Sequence, residues 1–167
     1  MVSGAKAKTA SLVLTLVVVA VALLSPDLTG MGLYQGCTLW QRLSYLFLHA
    51  SLLHCFVNCW VLLSVVFSRK LPFWQLIAAY IIAITYPVGI FASLAEYDAV
   101  VGLSGMVFAL IGIITPSTAK LAGVLSIVAF ILIGAIMPNV AWTLHLYCYL
   151  VGLIVGMITT PMSWQQN

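Results

Sequence analysis

The sequence predicts an all-α, polytopic membrane protein: a single domain built as a bundle of six transmembrane helices. Only 5% of the 167 residues are charged and 64% are hydrophobic. A soluble domain of this length would have too few polar residues to cover its surface. Long apolar runs recur along the chain, and short segments with Pro, Gly or charged residues separate them, as expected between successive membrane spans.

The first apolar run is predicted to span the membrane at about 9–25. It follows Lys6 and Lys8 and ends at Ser25-Pro26-Asp27. A secretory signal peptide has the same layout, and Ala20-Val21-Ala22 is a weak cleavage candidate. We favour a retained span, because the chain downstream is itself strongly apolar.

Five further spans are predicted after a first loop at about 26–44. Glycine and aromatic residues are mixed in that loop, which is typical of a segment at the membrane interface. Pro87 predicts a kink in the third span, and Glu96 and Asp98 are expected to solubilise the loop that follows. The predicted bounds of spans two to six are 45–67, 72–94, 104–115, 120–137 and 141–160.

The distribution of basic residues predicts the orientation. Six spans place both termini on the same side of the membrane. Five of the six basic residues fall on that side: Lys6, Lys8, Arg69, Lys70 and Lys120. The positive-inside rule assigns this side to the cytoplasm, with Arg42 alone on the outer side. A net charge of +3 gives no indication of nucleic-acid binding, and the oligomeric state is left open.

The fourth span is too short to cross a bilayer. From Ser104 to Pro116 it has about 12 residues, or ~18 Å of helix, against a hydrocarbon core of ~30 Å. Ser104 is therefore expected about 10 Å beneath the outer surface, where irregular backbone must line a cavity or be buried in protein. Gly102 and Gly105 flank this serine. A serine at a helix start is either an N-cap or a nucleophile.

Three more polar residues are predicted at the depth of Ser104. The helical rise places His54 and His145 about 10 Å below the outer face, and Asn58 one turn deeper than His54 on the same helix face. Intramembrane polar groups are costly and are candidates for function. They can also serve only as hydrogen bonds between helices.

A metal or haem site is a further alternative, with His49, His54 and His145 as ligands. On one continuous helix His49 and His54 would be about 140° apart, so they would not share a ligand face. A nucleophile, a base and helix N-terminal donors occur together around Ser104, which favours catalysis. Because no span contains an acid, the sequence predicts a Ser–His dyad instead of a triad. We expect no metal or cofactor.

Three motifs together resemble the rhomboid intramembrane serine proteases. They are His49-x4-His54-x3-Asn58 on the second span, Gly102-x-Ser104-Gly105 at the start of the fourth, and His145 followed by Gly152 on the sixth. Each motif is weak alone, but their order, helices and common depth make the combination specific. The resemblance covers nearly the whole chain and corresponds to the minimal six-span form.

The resemblance implies a role for each of these residues. Ser104 would be the nucleophile and His145 the general base, while His54, Asn58 and the backbone N–H of Ser104 would stabilise the oxyanion.

The other residues of the motifs would support the site. His49 would fix the first loop, and Phe108, where the family often has a tyrosine, would stack on the base. Gly112 and Gly152 would let the fourth and sixth helices approach closely.

Two departures from the family pattern concern packing. The arginine of its Trp-Arg pair is displaced by one position in Trp40-Gln41-Arg42, and Cys148 stands where a glycine is expected.

The resemblance also implies the activity and its partners. The protein would cleave the transmembrane helix of a substrate protein near the outer face, within the lipid bilayer of a bacterial inner membrane. Two alternatives remain open at this point. One is a non-catalytic rhomboid-like protein that binds or escorts membrane helices, and the other is a processing enzyme for C-terminal sorting helices.

Overall fold

The computed structural model describes residues 3–24, 28, 31–91, 99–118, 120–137 and 140–160. These residues form helices and no strand longer than one isolated bridge, so the all-α prediction is confirmed. The helices are α1 (Ser3–Leu23), α2 (Leu39–Ser44), α3 (Leu52–Ser68), α4 (Phe73–Ile84), α5 (Val88–Phe91), α6 (Ser104–Ile114), α7 (Leu121–Ile133) and α8 (Trp142–Thr159). Short 3-10 turns extend α2, α6 and α7.

The described helices are consistent with a membrane protein. Gly4–Leu23 and Trp142–Thr159 are each long and apolar enough to cross a bilayer. The pair Leu39–Phe47 and Leu52–Ser68 passes the same test only together, and it is bent by 83°. The remaining apolar helices are shorter, so the count of six spans stays a prediction.

Helix α3, which corresponds to the predicted second span, begins at Leu52 and not at about residue 45. Ser51 is extended, with φ −157° and ψ 160°, and its side chain accepts a hydrogen bond from the N–H of His54. Residues 39–47 form the separate α2 and its 3-10 turn, with Thr38 and Gln41 as a capping box. The average hydropathy of the predicted span does not mark a break at 45–51, but the Ser51 cap interrupts the helix there.

Helix α4, which corresponds to the start of the predicted third span, ends at Ile84, before the kink predicted at Pro87. Proline disfavours helical backbone in the residue that precedes it, and here Tyr86 and Pro87 form an irregular break before α5. The predicted ends of several spans, and the loop acids, lie outside the described residues: Ser25-Pro26-Asp27, 92–94, Glu96, Asp98, Pro138 and Pro161.

Helix α6 forms the centre of the molecule. Nine of its 11 residues are buried. It packs most extensively against α8 and next against α4, while α1 packs on α3 through a separate apolar cluster. The helix that begins at Ser104 is therefore enclosed by its neighbours, as the depth predicted for its first residue would require.

The contact between α6 and α8 is made by backbone against backbone. A Cβ added at Gly112 would collide with the carbonyl oxygen of Tyr149, and one added at Gly152 would collide with that of Ala109. Helices approach this closely only where both lack side chains. Gly112 and Gly152 thus hold α6 and α8 at the spacing on which the site between them depends.

We expect Gly152→Ala to destabilise the protein, although alanine is the better helix former. The added methyl group has only backbone to displace, and overpacking of this kind costs about 1–3 kcal/mol. The melting temperature in detergent should fall by roughly 3–10 °C. Gly89→Ala is the matched control, because Gly89 is exposed and its added Cβ would meet only Gln35 Nε2, at 3.9 Å. An equal fall in both variants would contradict the close packing.

Candidate active site

The hydroxyl of Ser104 and the imidazole of His145 form a hydrogen bond. Ser104 Oγ lies 2.9 Å from His145 Nε2. Ser104 is the first residue of α6 and is buried, while His145 lies one turn into α8. The residue that precedes α6 is Leu103, without a side-chain cap, so the serine does not take the alternative role of an N-cap. The packing of α6 on α8 brings together two residues 41 positions apart.

The ring of His145 stacks on Phe108. The two ring centroids are 4.5 Å apart and the planes differ by 24°. Phe108 lies one turn after Ser104 on α6, so the same helix presents the hydroxyl and fixes the plane of the imidazole. The three acids of the sequence all lie outside the described residues. Within the described part of the chain, stacking and the bond to Ser104 orient His145 without a carboxylate.

Gly102 brings the turn before Ser104 against His54 and Asn58. Its φ of +122° is favourable only for glycine. A Cβ added there would lie 2.7 Å from His54 Cε1 and 3.6 Å from Asn58 Nδ2, so both side chains contact the bare backbone. Asn58 is buried, and one N–H of its amide donates to the carbonyl oxygen of His54 at 3.1 Å. The structure therefore brings His54 and Asn58 to the N-terminal end of α6.

His49 lies in the loop between α2 and α3, and its Nε2 accepts a hydrogen bond from the N–H of Leu103 at 3.3 Å. Its ring centroid is 5.1 Å from that of His54. The separation of about 140° assumed a continuous helix and is wrong, because the cap at Ser51 frees His49 to turn toward His54. Among the described residues, no three His, Cys, Asp or Glu side chains are grouped as metal ligands.

Tyr45 is a supporting residue that the sequence analysis missed. Its carbonyl accepts the N–H of Gly102 at 3.0 Å, and its hydroxyl donates to the carbonyl of Ala83 at 2.9 Å. A Cβ at Gly105 would lie 3.1 Å from this hydroxyl, so Gly105 leaves room for it. A buried tyrosine usually has a hydrogen-bond partner for its hydroxyl. The position of Tyr45 within an apolar run could therefore have indicated a supporting role.

The first loop also pairs with the backbone that leads into the site. Leu33 and Val100 exchange two hydrogen bonds, of 2.8 and 3.0 Å, in an isolated antiparallel bridge. Gly32, with φ +97°, packs against the carbonyl oxygen of Val100. Together with Tyr45, this bridge attaches the first loop to the turn that presents Ser104.

Arg42 joins α2 to the end of α4. Its Nη1 donates to the carbonyl oxygens of Ile84 and Tyr86, at 2.9 and 2.7 Å. These carbonyls lie at the end of α4, where the helix supplies no partner of its own. Arg42, the arginine displaced by one position from the family pattern, therefore supplies hydrogen-bond donors to the carbonyl groups at the end of α4.

We expect Arg42→Gln to destabilise the fold by about 1.5–3 kcal/mol, because two charge-assisted hydrogen bonds are lost. The melting temperature in detergent should fall by several degrees. Arg69→Gln is the matched control, since Arg69 is exposed at the other end of the molecule. Equal melting of the two variants would show that Arg42 does not hold the end of α4.

The arrangement is suited to nucleophilic chemistry. A hydroxyl bonded to an imidazole can pass its proton to that base, and donors beside a helix N-terminus can stabilise a developing anion. Ser104, His145, His54 and Asn58 come from three helices and meet at the N-terminal end of α6.

One comparison with known proteins, a match to a family model, identifies the family. Residues 36–165, which are most of the chain and include every residue of the candidate site, match the family model described as Rhomboid domain. No curated protein and no solved structure matches the chain significantly. The match covers well over half of the 167 residues, and the chain belongs to the rhomboid family.

Proposed function

We propose that this protein is an intramembrane serine endopeptidase that cleaves transmembrane segments of other membrane proteins. The observation that carries the proposal is the 2.9 Å hydrogen bond between Ser104 Oγ and His145 Nε2 at the N-terminus of α6. Membership of the rhomboid family supports it. A dyad built only to join helices would not need His54 and Asn58 on the far side of Gly102.

In the proposed reaction, Ser104 Oγ attacks the carbonyl carbon of the scissile bond while His145 Nε2 takes the hydroxyl proton. The carbonyl oxygen becomes an oxyanion, to which the Ser104 N–H, His54 and Asn58 donate. The tetrahedral intermediate collapses, the C–N bond breaks, and His145 returns the proton to the leaving amine. Water, deprotonated by His145, then hydrolyses the acyl-enzyme and restores Ser104.

Stacking on Phe108 replaces part of what a carboxylate does in a triad. The ring fixes the imidazole so that Nε2 faces Ser104 Oγ. It does not stabilise the imidazolium as an anion would, so the proposed enzyme depends on position and on oxyanion donors.

The proposed substrate is a membrane helix opened near the outer face. Helical backbone keeps its carbonyls hydrogen-bonded and shielded, so the segment must unwind before Ser104 attacks. We propose six spans with both termini in the cytoplasm, on the arrangement of basic residues described above. This orientation puts the N-terminal end of α6 toward the outer side. We also propose a place in a bacterial inner membrane, which the resemblance to minimal six-span rhomboids implies.

The direct test is labelling by a fluorophosphonate probe, which reacts covalently with an activated serine. We expect the wild-type protein to be labelled in detergent and Ser104→Ala to be unlabelled. Ser126→Ala is a matched control, because Ser126 is exposed and donates to the carbonyl oxygen of Ala122 in its own helix. A wild-type protein that stays unlabelled would instead indicate a non-catalytic member that binds or escorts membrane helices.

A further inference from the structure

Four basic side chains from two distant segments lie at the end of the molecule opposite Ser104. We name Lys6, Lys8, Arg69 and Lys70 the basic patch. Lys6 and Lys8 lie in the first turns of α1, and Arg69 and Lys70 follow the last residue of α3. Helix α3 is 17 residues long, or about 25 Å, so the patch is far from His54 at its other end.

Packing of α1 on α3 brings the two pairs together. A Cβ added at Gly4 would lie 3.6 Å from the Cα of Lys70, so the start of α1 touches the turn after α3. Lys8 Nζ lies 5.1 Å from the ring centroid of Phe67, a cation–π contact that restrains its ammonium beside the same turn. The patch is thus built by the fold and is not a run of charges in the sequence.

No carboxylate neutralises the patch within the described residues, because all three acids of the sequence lie outside them. Lys6, Arg69 and Lys70 are exposed. Four like charges gathered at one end of the molecule repel one another, and an anion from outside the chain would relieve that repulsion. The patch therefore has the charge of a surface that binds an anion.

The patch borders exposed apolar surface, which limits the kind of anion. Leu12, Val13 and Leu16 on α1 are 45%, 55% and 69% exposed, and Phe67 on α3 is 46% exposed. A ligand that covers both parts has a negative head joined to hydrocarbon. An anionic phospholipid has this chemistry, whereas inorganic phosphate matches only the basic part.

We propose that the basic patch binds the phosphate headgroup of an anionic phospholipid, with the acyl chains along the exposed faces of α1 and α3. The lipid would hold α1 against the turn after α3 in the leaflet at this end of the molecule. The inference requires a membrane protein, but it does not depend on catalysis by Ser104.

The test is native mass spectrometry of the full-length protein in a neutral detergent, titrated with phosphatidylglycerol or with phosphatidylcholine. We expect phosphatidylglycerol to bind at least about tenfold more tightly. Removal of each cation should weaken it by about fivefold, so that Lys6→Gln/Lys8→Gln and Arg69→Gln/Lys70→Gln each lose up to about 25-fold. High salt should weaken binding to the wild type more than to either double variant.

Lys120→Gln is the matched control, because it removes one positive charge from a different connection, just before α7. It should change the affinity less than twofold. A loss as large as that of Lys6→Gln alone would show general attraction to a cationic protein and overturn the site. Melting curves identify any variant that loses its fold. If a double variant does so, the single substitutions at Lys6, Lys8, Arg69 and Lys70 test whether each cation contributes to binding. Displacement of phosphatidylglycerol by inorganic phosphate, or equal binding of the two lipids, would overturn the proposal of a lipid ligand.

Discussion

Ser104→Ala and His145→Ala are each expected to abolish cleavage of a model transmembrane substrate, with a loss of at least about 10³-fold in rate. Without Oγ there is no nucleophile at the start of α6. Without the imidazole, the hydroxyl keeps its proton and attacks too slowly to measure. In the proposed mechanism the pair acts as a unit through its 2.9 Å hydrogen bond, so the double variant should be no slower than either single variant.

The measurement is the initial rate of cleavage in detergent or reconstituted bilayers, with the melting curve of each variant beside it. Ser104→Ala removes one buried oxygen and should fold as the wild type does. Ser126→Ala on the exposed face of α7 should cleave at the wild-type rate. Cleavage by Ser104→Ala at a rate near the wild type would mean that another group is the nucleophile.

His54→Ala is expected to reduce the rate by about 10²–10³-fold while the fold survives. Asn58→Ala should have a similar or smaller effect. Both side chains contact Gly102, two residues before Ser104. In the proposed reaction an oxyanion would form there, beside the N–H of Ser104. Donors fixed in place before the reaction stabilise the charge as it develops, at no cost in reorganisation.

The opposite pattern is expected if these residues only join helices. Asn58→Ala would then lower the melting temperature and leave the rate per molecule nearly unchanged, since such contacts contribute about 0.6 kcal/mol. Turnover is normalised to enzyme labelled to completion by the fluorophosphonate. Ser64→Ala, at an exposed position of α3, is the control for loss of a polar side chain from that helix. A stable His54→Ala protein with the wild-type rate would contradict the oxyanion role and leave the dyad standing.

The local geometry of the candidate site could be predicted from the sequence, because it depends on short spacings. His54 and Asn58 share a helix face at i,i+4 wherever that helix lies. Gly102 before Ser104 predicts a sharp turn at a helix start, and its φ of +122° fits that turn. The scarcity of charge predicts apolar helices, and the described chain is helical.

The tertiary structure alone decided where helices are interrupted and what supports the turn before Ser104. The run from 45 to 67 is apolar on average, but Ser51 divides it and His49 turns back toward Leu103. The bonds from Arg42 and Tyr45 to the end of α4 span about 40 positions of the chain. Hydropathy reports that a residue avoids water, and this is equally true of a residue that faces lipid and one that faces protein. The partner of a buried carbonyl or hydroxyl depends on which helices pack together, so only the folded chain reveals it.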